Sequence, residues 1–494
     1  MEERVSIVIT SDGACLLSGD KDNLVMDQIV EGDTTLSRIV RNTGLPKSTV
    51  FSILGKLTSD GMIDSYSDDE GMRWYRAISS RAINLQKPML MPDIMERRWN
   101  RRVSTDMSEP IPKICYMALM SAPESSGVDT TPIYLDLGQR LGEEILMASP
   151  PSKAIESVMS FLRHTKMCDV KYAGKSVEEH TFQVMFKNLL LDKSARLVCC
   201  TVASIMRTVL NRVNGSDLDI QSIKPIPYTT VYEIVLSANG HMFPRNRRLD
   251  DVPIEGPVGN RPQLFITEEG PVCVTGIQAQ MMEHMMKGYI SQKDLAHELG
   301  VPTSTVSFNM KKLIGCKLVE RDKEGCKVIA TPSVRWCEPQ HRYRLATDVY
   351  IHRCVSEPDS IHRHLLSYSI TNGIRIGLDI RPVMYNTGAA LAHILISHRP
   401  DSDLNEIMKL LDSNSYWIKD CCARVLKMDP LTFSLRMGYN VDELMSEYIN
   451  IFHQHFFRVI VQHLYGKDND VLYSNFFGVG NRVHIIRFGR LDEQ

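Results

Sequence analysis

The chain has 494 residues, a formal net charge of −2 and 43% hydrophobic residues, which are the proportions of a globular protein with several domains. This near-neutral charge excludes a polycationic nucleic-acid coat, so any contact with DNA must come from local basic patches. No apolar run approaches the roughly 18–20 residues of a membrane span, and the opening Met1–Arg4 lacks the basic start of a secretory leader, which favours a cytoplasmic protein without a membrane partner.

Residues 1–86 have the pattern of a winged helix-turn-helix domain. The order is three amphipathic helices and a hairpin, predicted at residues 23–30, 35–42, 47–57 and 62–76. Thr34 or Thr35 is able to cap the second helix, and Gly44 suits a left-handed turn before the third. The third helix has one apolar stripe at helical spacing, formed by Val50, Ile53, Leu54 and Leu57.

The outer side of this third helix is the predicted DNA-reading surface. A helix fits the major groove, where short hydroxyl side chains near its N-terminal end reach base edges while lysines contact phosphates. Residues 34–57 hold four basic and no acidic residues, which favours the same partner. The residues predicted to contact DNA are Arg38, Lys47, Ser48, Thr49, Ser52, Lys56 and Arg73. The acidic wing tip at residues 68–70 leaves open the alternative of a protein-binding winged helix.

Residues 87–112 show little periodicity and separate this domain from a larger one. They include a basic cluster around one aromatic residue, at residues 97–102. Two interpretations stay open for this cluster: a solvated connecting helix, or an arm that contacts DNA phosphates.

Residues 113–236 predict the larger domain, which mixes helices and strands. Helices are expected at residues 137–147, 152–164 and 195–213, with strands at residues 181–186 and 228–236. The chain has 12 cysteines and no Cys-x-x-Cys pair, which fits a reducing compartment. The adjacent pairs Cys199–Cys200 and Cys421–Cys422 are open to a redox or metal role, or to a role as small core residues.

The second half of the chain repeats this order after a linker rich in proline and glycine at residues 237–262. Residues 263–336 predict a second winged helix-turn-helix, and residues 361–490 predict a second large domain. The residues predicted to contact DNA here are Thr303, Ser304, Thr305, Ser307, Lys311, Lys312 and Lys327. Three histidines lie on the long helix predicted at residues 441–464, but their spacing does not suit a shared metal ion, so no metal site is expected.

Matched segments in the two halves indicate an internal duplication. Thr43–Val50 corresponds to Leu299–Val306 at an offset of 256 residues, and three further pairs of segments agree at offsets of 250 to 257. Because the matches keep one order, we interpret residues 1–236 and 263–494 as homologous halves. The predicted fold class is α/β (α+β), each half being a winged helix-turn-helix plus a larger mixed α/β domain of ligand-binding type.

Two resemblances extend this interpretation. The segment Gly44–Val50 resembles the turn and third helix of ArsR- and MarR-type winged-helix transcription regulators. Residues 137–144 resemble the opening helix of vinyl-four-reductase-type domains, which are small-molecule-binding modules related to the TRAPP-subunit fold. These resemblances imply double-stranded DNA as a partner, a small-molecule effector and a homodimer formed through the large domains, and they identify no cofactor.

The sequence therefore favours a nucleoid-associated, sequence-specific transcription regulator that reads two half-sites and is controlled by a ligand or by assembly. The glycine-rich phosphate loop, nucleophile elbow and His-Glu-x-x-His motifs of enzymes do not occur, so no catalytic activity is expected. The alternatives are an architectural nucleoid protein without an effector and a winged-helix module that binds protein.

Overall fold

The computed structural model describes residues 5–11, 13–85, 109–110, 116, 120, 128–165, 168–175, 179–186, 192–227, 229–243, 263–267, 270–285, 291–321, 326–328, 331–336, 344–376, 378–398, 400–412, 418–419, 421–437 and 443–490. The chain divides into two compact units. Unit 1 consists of residues 1–89, 123–361 and 372–378, and unit 2 of residues 90–122, 362–371 and 379–494. These units do not coincide with the two predicted halves, because the second winged helix-turn-helix lies in unit 1.

The first winged helix-turn-helix has the predicted order of elements. They are β1 (Val5–Thr10), β2 (Gly13–Ser18), α1 (Asp20–Val30), β3 (Thr34–Thr35), α2 (Leu36–Thr43), α3 (Lys47–Ser59), β4 (Ile63–Ser67), β5 (Arg73–Ala77) and β6 (Ser80–Leu85). The wing is the antiparallel pair β4 and β5, with β3 as a third strand, while β1 pairs with β2 and β6. The apolar stripe of α3 is buried as its spacing predicts, with Val50 and Leu57 at 0% exposure.

Local sequence sets both ends of α2. Thr35 is the N-cap, and its hydroxyl oxygen accepts a hydrogen bond from the backbone N–H of Arg38 at 3.4 Å. Gly44 ends the helix with a φ of 68°, a left-handed conformation that glycine adopts without steric cost. The turn that orients α3 is therefore encoded by two residues that the sequence identifies.

The first large domain packs two helices and a long third helix on a sheet. After the short β7 (Glu109–Pro110), its elements are β8 (Val128–Asp129), α4 (Thr131–Ala148), α5 (Ala154–His164), β9 (Asp169–Lys175), β10 (Glu179–Met185), α6 (Asp192–Asn214), β11 (Asp219–Pro225) and β12 (Val231–Ser237). The sheet has the order β11-β12-β10-β9 and antiparallel pairing. Strands β9 and β11 are missing from the sequence prediction because polar residues interrupt their apolar alternation.

The predicted linker begins later than residue 237. Met242 donates its backbone N–H to the carbonyl oxygen of Ile220 at 2.9 Å, so residues 237–243 remain packed on β11. The rest of the linker, residues 244–262, and the basic cluster at residues 97–102 lie outside the described residues.

Residues 263–336 follow the order of the first domain, except that the described residues contain no counterpart of β3. Their elements are β13 (Gln263–Thr267), β14 (Gly270–Val274), α7 (Gly276–Met285), α8 (Gln292–Leu299), α9 (Thr303–Gly315), β15 (Val319–Arg321), β16 (Cys326–Val328) and β17 (Thr331–Trp336). Ser291 caps α8 through the N–H of Asp294 at 3.1 Å, and Gly300 ends it with a φ of 64°. Two helices continue the chain, α10 (Arg344–Ser356) and α11 (Ile361–Ile376).

The second large domain repeats the sheet order of the first. Its elements are β18 (Leu378–Asp379), α12 (Arg381–His398), α13 (Leu404–Asp412), β19 (Ile418–Lys419), β20 (Cys421–Met428), β21 (Leu431–Met437), α14 (Glu443–Tyr465), β22 (Asn469–Phe477) and β23 (Val483–Arg490). The order β20-β21-β23-β22 is antiparallel throughout. Because the sheets of both large domains are antiparallel, the fold class is α+β.

Helix α10 follows the second winged helix in the chain but packs on α4 of the first large domain. Arg140 of α4 is buried, 3.1 Å from Asp136 on its own helix and 3.7 Å from Asp348 of α10. One helical turn later, Glu144 lies 2.8 Å from His352. In unit 2, β19 pairs in parallel with β7, which comes from the first half of the sequence. Each unit therefore contains chain from both predicted halves.

A glycine stands at the closest helix crossing of each large domain. A Cβ at Gly138 of α4 would lie within 3.0 Å of the carbonyl oxygen of Thr201 on α6. A Cβ at Gly388 of α12 would lie equally close to the carbonyl oxygen of Phe452 on α14. Neither contact can be relieved by a side-chain rotation, because the opposing atom belongs to the backbone.

The adjacent cysteines of α6 are core residues. Cys199 and Cys200 are both 0% exposed. Burial raises the pKa of the neighbouring Cys168 to about 12 and the pKa of Cys199 well above its usual range, so the reactive thiolate form is disfavoured. Among the described residues, no three His, Cys, Asp or Glu side chains form a group suited to a metal ion, and no helix could span a bilayer.

Two histidines are buried against each other inside the second large domain. The Nδ1 atoms of His453 and His484 are 2.9 Å apart, and Nε2 of His484 is 2.8 Å from the Ser474 hydroxyl. Ser474 donates its hydroxyl proton to Oδ1 of Asn450, so it accepts a hydrogen bond from the Nε2–H of His484. Nδ1 of His484 then carries no proton and accepts a hydrogen bond from the Nδ1–H of His453. Burial lowers the pKa of His484 to about 3 and that of His453 well below 6.5, so both rings are neutral.

This pair makes the stability of the second large domain dependent on pH. In the unfolded chain both imidazoles take up a proton as pH falls below about 6.5, whereas the folded rings stay neutral. The unfolded state therefore gains protons, and the free energy of unfolding is expected to fall by about 1.4 kcal/mol per pH unit for each ring below that pH. Urea midpoints at pH 7, 6 and 5 measure the effect.

The double variant His453→Leu with His484→Phe is expected to flatten this pH dependence, since neither side chain titrates. His463→Gln is the control, because it removes an exposed histidine from the same helix and leaves the buried pair intact. An equal urea midpoint at pH 7 and pH 5 in the unmodified chain would contradict the assignment.

Candidate nucleic-acid interface

Helix α3 presents an exposed surface opposite its buried stripe. Lys47, Ser48 and Ser52 are exposed and Thr49 is half-buried, while Arg38 is exposed on the preceding helix. Gly55 adds open space to the same surface, since a side chain there would meet nothing within 4 Å. The hydroxyl side chains of this helix therefore lie on its accessible side, as the sequence predicts, and a helix side of this kind can enter a DNA groove.

The N-terminal ends of α3 and α9 carry no side-chain cap. Their N-caps are Pro46 and Pro302, neither of which has a hydrogen-bonding side chain. By contrast, α2 and α8 are capped by Thr35 and Ser291. Backbone N–H groups in the first turn of α3 are thus open to an external acceptor, and a phosphate suits this position in both charge and geometry. In α9 the N–H of Thr305 is already bonded to the carbonyl oxygen of Pro302 at 2.9 Å, which leaves fewer donors for such an acceptor.

Lys56 is exposed but already has a partner within the protein. Its Nζ lies 2.6 Å from Oδ2 of Asp22, at the start of α1, and the carboxylate is the less exposed member of the pair. A phosphate contact by Lys56 would replace this ion pair, so its gain is smaller than that of a free lysine. Helical spacing does not predict this ion pair, because Asp22 and Lys56 are 34 positions apart and lie on different helices.

Asp22→Asn is expected to strengthen DNA binding by up to about fivefold at 0.15 M salt, because it frees one cation for phosphate contact. The slope of log affinity against log salt should steepen by up to about 0.9. Asp20→Asn is the matched control, since it removes the same charge from an exposed position in the same helical turn. Equal affinities of these two variants for duplex DNA would show that Lys56 does not contact phosphate.

Hydrogen bonds to one carboxylate connect the acidic tip of the wing in the first domain. The Asp68 carboxylate accepts hydrogen bonds from the N–H groups of Glu70 and Met72 and from Nε1 of Trp74, at 2.7–3.0 Å. The Trp74 bond is the largest of the causes that hold the pKa of Asp68 below its usual value. Arg73 is exposed and donates to the Ser65 hydroxyl, 2.8 Å from Nη2. Asp68 thus connects the two strands of the hairpin at its turn, and Ser65 orients the side chain of Arg73.

The exposed side of α9 differs from that of α3. Thr303, Ser304, Lys311 and Lys312 are exposed, while Thr305 and Ser307 are half-buried. Nζ of Lys312 lies 4.6 Å from the ring centre of Phe308, a cation–π contact along the helix. Lys327 belongs to β16, but its side chain and the wing turn at residues 322–325 lie outside the described residues.

Sequence analysis missed one exposed aromatic residue on each of these helices. Phe51 of α3 and Phe308 of α9 are each 60% exposed. Both lie outside the apolar stripe of their helix, so helical spacing was the signal that could have identified them. An exposed ring in the major groove suits contact with a thymine methyl group.

Comparison with protein families matches residues 25–65 to the IclR helix-turn-helix domain. This segment runs from α1 through α3 into the first strand of the wing. Comparison with curated proteins and with solved structures gives no match. The chain therefore carries an IclR-type helix-turn-helix and is a DNA-binding transcription regulator of the winged-helix kind. This confirms the predicted DNA-binding regulator. The matched domain is of the IclR type, whereas the sequence pattern suggested the ArsR and MarR types.

Proposed function

We propose that the chain is a sequence-specific regulator that reads two half-sites of one DNA site through its two winged helices. The observation that carries this proposal is the agreement between the two helix-turn-helix segments. α2 and α3 have the same lengths as α8 and α9 at a constant offset of 256 residues, with a capped first helix, a left-handed glycine and a proline N-cap in each. A second reading helix of the same geometry supports a second half-site.

In this proposal the side chains divide into two roles. Ser48, Thr49 and Ser52 of α3, with Thr303, Ser304, Thr305 and Ser307 of α9, contact base edges. The phosphate contacts come from Arg38, Lys47, Lys56, Arg73, Lys311, Lys312 and Lys327. Hydroxyl groups reach base edges over short distances, whereas cations on longer side chains follow the backbone.

We also propose that the two halves arose by duplication and that the large domains act as sensors. The identical antiparallel sheet orders and the glycines at both helix crossings support the duplication. The vinyl-four-reductase-like pattern supports a small-molecule effector, with homodimers formed through the large domains in the nucleoid. No catalytic step is assigned to the chain.

The experiment that tests the proposal compares single substitutions in the two reading helices. Ser48→Ala and Ser304→Ala should each cost roughly 1–3 kcal/mol on a selected site, and only when the half-site read by that helix is intact. Selection from a random duplex library supplies the site, and binding to each scrambled half-site supplies the assignment. Equal losses of both variants on every duplex would mean that the hydroxyls do not read bases.

The same selected site separates the regulator from an architectural nucleoid protein. A regulator binds its site at least about a thousandfold more tightly than random DNA, whereas an architectural protein discriminates little. A ratio near one would favour the architectural function, and a duplex affinity that does not depend on salt would favour a protein-binding winged helix.

A further inference from the structure

The sheet of the second large domain has one buried and one open face. Phe433, His484, Ile486 and Phe488 are buried on the inner side, towards α14. The strand register places the alternate residues on the opposite side. We call this side the outer face and define it by Arg424 of β20, Arg436 of β21, Arg487 of β23, and Tyr473 and Phe477 of β22.

The aromatic residues of the outer face are exposed and aligned. Tyr473 is 40% and Phe477 43% exposed, and both follow a register shift between Val471 and Tyr473 in β22. Their ring centres lie 6.4 Å apart with an angle of 28° between the planes, and the guanidinium of Arg487 lies 5.9 Å from the Tyr473 ring centre. Two exposed rings with nearly parallel planes thus lie next to a cation.

The charged side chains around these two rings are mainly positive. Strands β20 to β23 contain five basic residues and a single acidic one, Asp470. The Asp470 carboxylate accepts a hydrogen bond from Nε of Arg458 on α14 at 2.7 Å, so it does not neutralise the outer face. The arginines at positions 424, 436 and 487 are all exposed.

The corresponding sheet of the first large domain lacks these features. Strands β9 to β12 contain three basic and four acidic residues. On its outer side Lys224 stands opposite Glu233, which also pairs in register with Gln183. The basic and aromatic surface is therefore a property of the second large domain and not of the shared architecture.

Three occupants can be compared by their chemistry. A second copy of this face would bring arginines against arginines, which is unfavourable. A DNA duplex offers phosphates to the arginines, but its bases are stacked on each other and offer no face to the rings. A single strand offers both phosphates and unstacked bases, and stacking on aromatic side chains is the common mode of recognising it.

We propose that the outer face is a second nucleic-acid site, which binds single-stranded DNA or RNA by stacking bases on Tyr473 and Phe477 while Arg424, Arg436 and Arg487 hold phosphates. This site is separate from the duplex-reading helices and does not depend on their assignment.

Fluorescence anisotropy of the full chain at 0.15 M salt tests this proposal, with labelled dT16, U16 and a 16-base-pair duplex as probes. Tyr473→Leu with Phe477→Leu keeps apolar bulk but removes both rings, and should weaken single-strand binding by about tenfold or more while leaving duplex binding within about twofold. Tyr465→Leu, which removes a ring 46% exposed at the end of α14, is the control. The dT16 and U16 probes distinguish DNA from RNA as the source of the strand.

A charge pair of variants completes the test. Arg436→Gln with Arg487→Gln should flatten the salt dependence of single-strand binding by about 1.4, whereas Lys171→Gln with Lys224→Gln on the first sheet should not. No single-strand binding by the unmodified chain, or full binding by the double leucine variant with unchanged circular dichroism, would overturn the proposal. Conversion of a dimer into a monomer by the arginine variant would overturn it as well and assign the face to self-association.

Discussion

Replacing Lys47, Lys56, Lys311 and Lys312 together by alanine is expected to weaken duplex binding by several hundredfold at 0.15 M salt, on the order of one counterion-release step per lysine. The slope of log affinity against log salt should fall by about three, somewhat less than four full contacts because Lys56 exchanges its bond to Asp22. Titration of the selected duplex at several salt concentrations measures both quantities.

A matched quadruple variant separates local contact from general charge. Lys171, Lys224, Lys409 and Lys467 are all exposed on the large domains, and their replacement by alanine changes the net charge equally. Affinity and salt slope should then change little, because none of these lysines belongs to α2, α3, α8, α9 or a wing strand. If the variant at Lys47, Lys56, Lys311 and Lys312 bound the duplex as well as the control variant does, α3 and α9 would not form the interface. This conclusion does not depend on single-strand binding at the outer face.

Gly138→Ala and Gly388→Ala are expected to destabilise their domains by roughly 1–3 kcal/mol each, the cost of overpacking a close-packed interior. In both cases the new methyl group meets a backbone carbonyl oxygen on the long helix, of Thr201 or of Phe452. The two helices must separate, and the contacts along their whole crossing weaken with them. Urea unfolding of the full chain measures the loss.

Gly55→Ala is the control for these two substitutions. Gly55 is also helical, but a Cβ there meets nothing within 4 Å. The change should raise stability by roughly 0.5–1 kcal/mol, since alanine restricts the unfolded chain and favours helix. If all three alanine variants were equally stable, the two long helices would not be held as closely as the structure has them.

The helix-turn-helix of the first domain was predictable from sequence because its signals are local. The buried stripe of α3, the cap at Thr35 and the left-handed Gly44 all act within a few residues of one helix. The wing was predictable for the same reason, from two short runs around Gly71. The exposure of Lys47, Ser48 and Ser52 followed, since the side of α3 that is not buried must face outward.

Features that depend on distant parts of the chain were not predictable. The partner of Lys56 comes from another helix, and the rows of the outer face combine four strands whose order is set by the long connection through α14. Strand β11 carries a buried aspartate, Asp219, and an exposed lysine, Lys224, and these polar residues hide its alternation. A single sequence does not show such pairings, because they form only when distant elements pack together.

The position of α10 has a consequence for how the chain can be divided. A cut in the segment between residues 243 and 263 gives two pieces, yet α10 of the second piece still packs on α4 of the first through Arg140 and Asp348. Each piece alone lacks a surface that the other supplies.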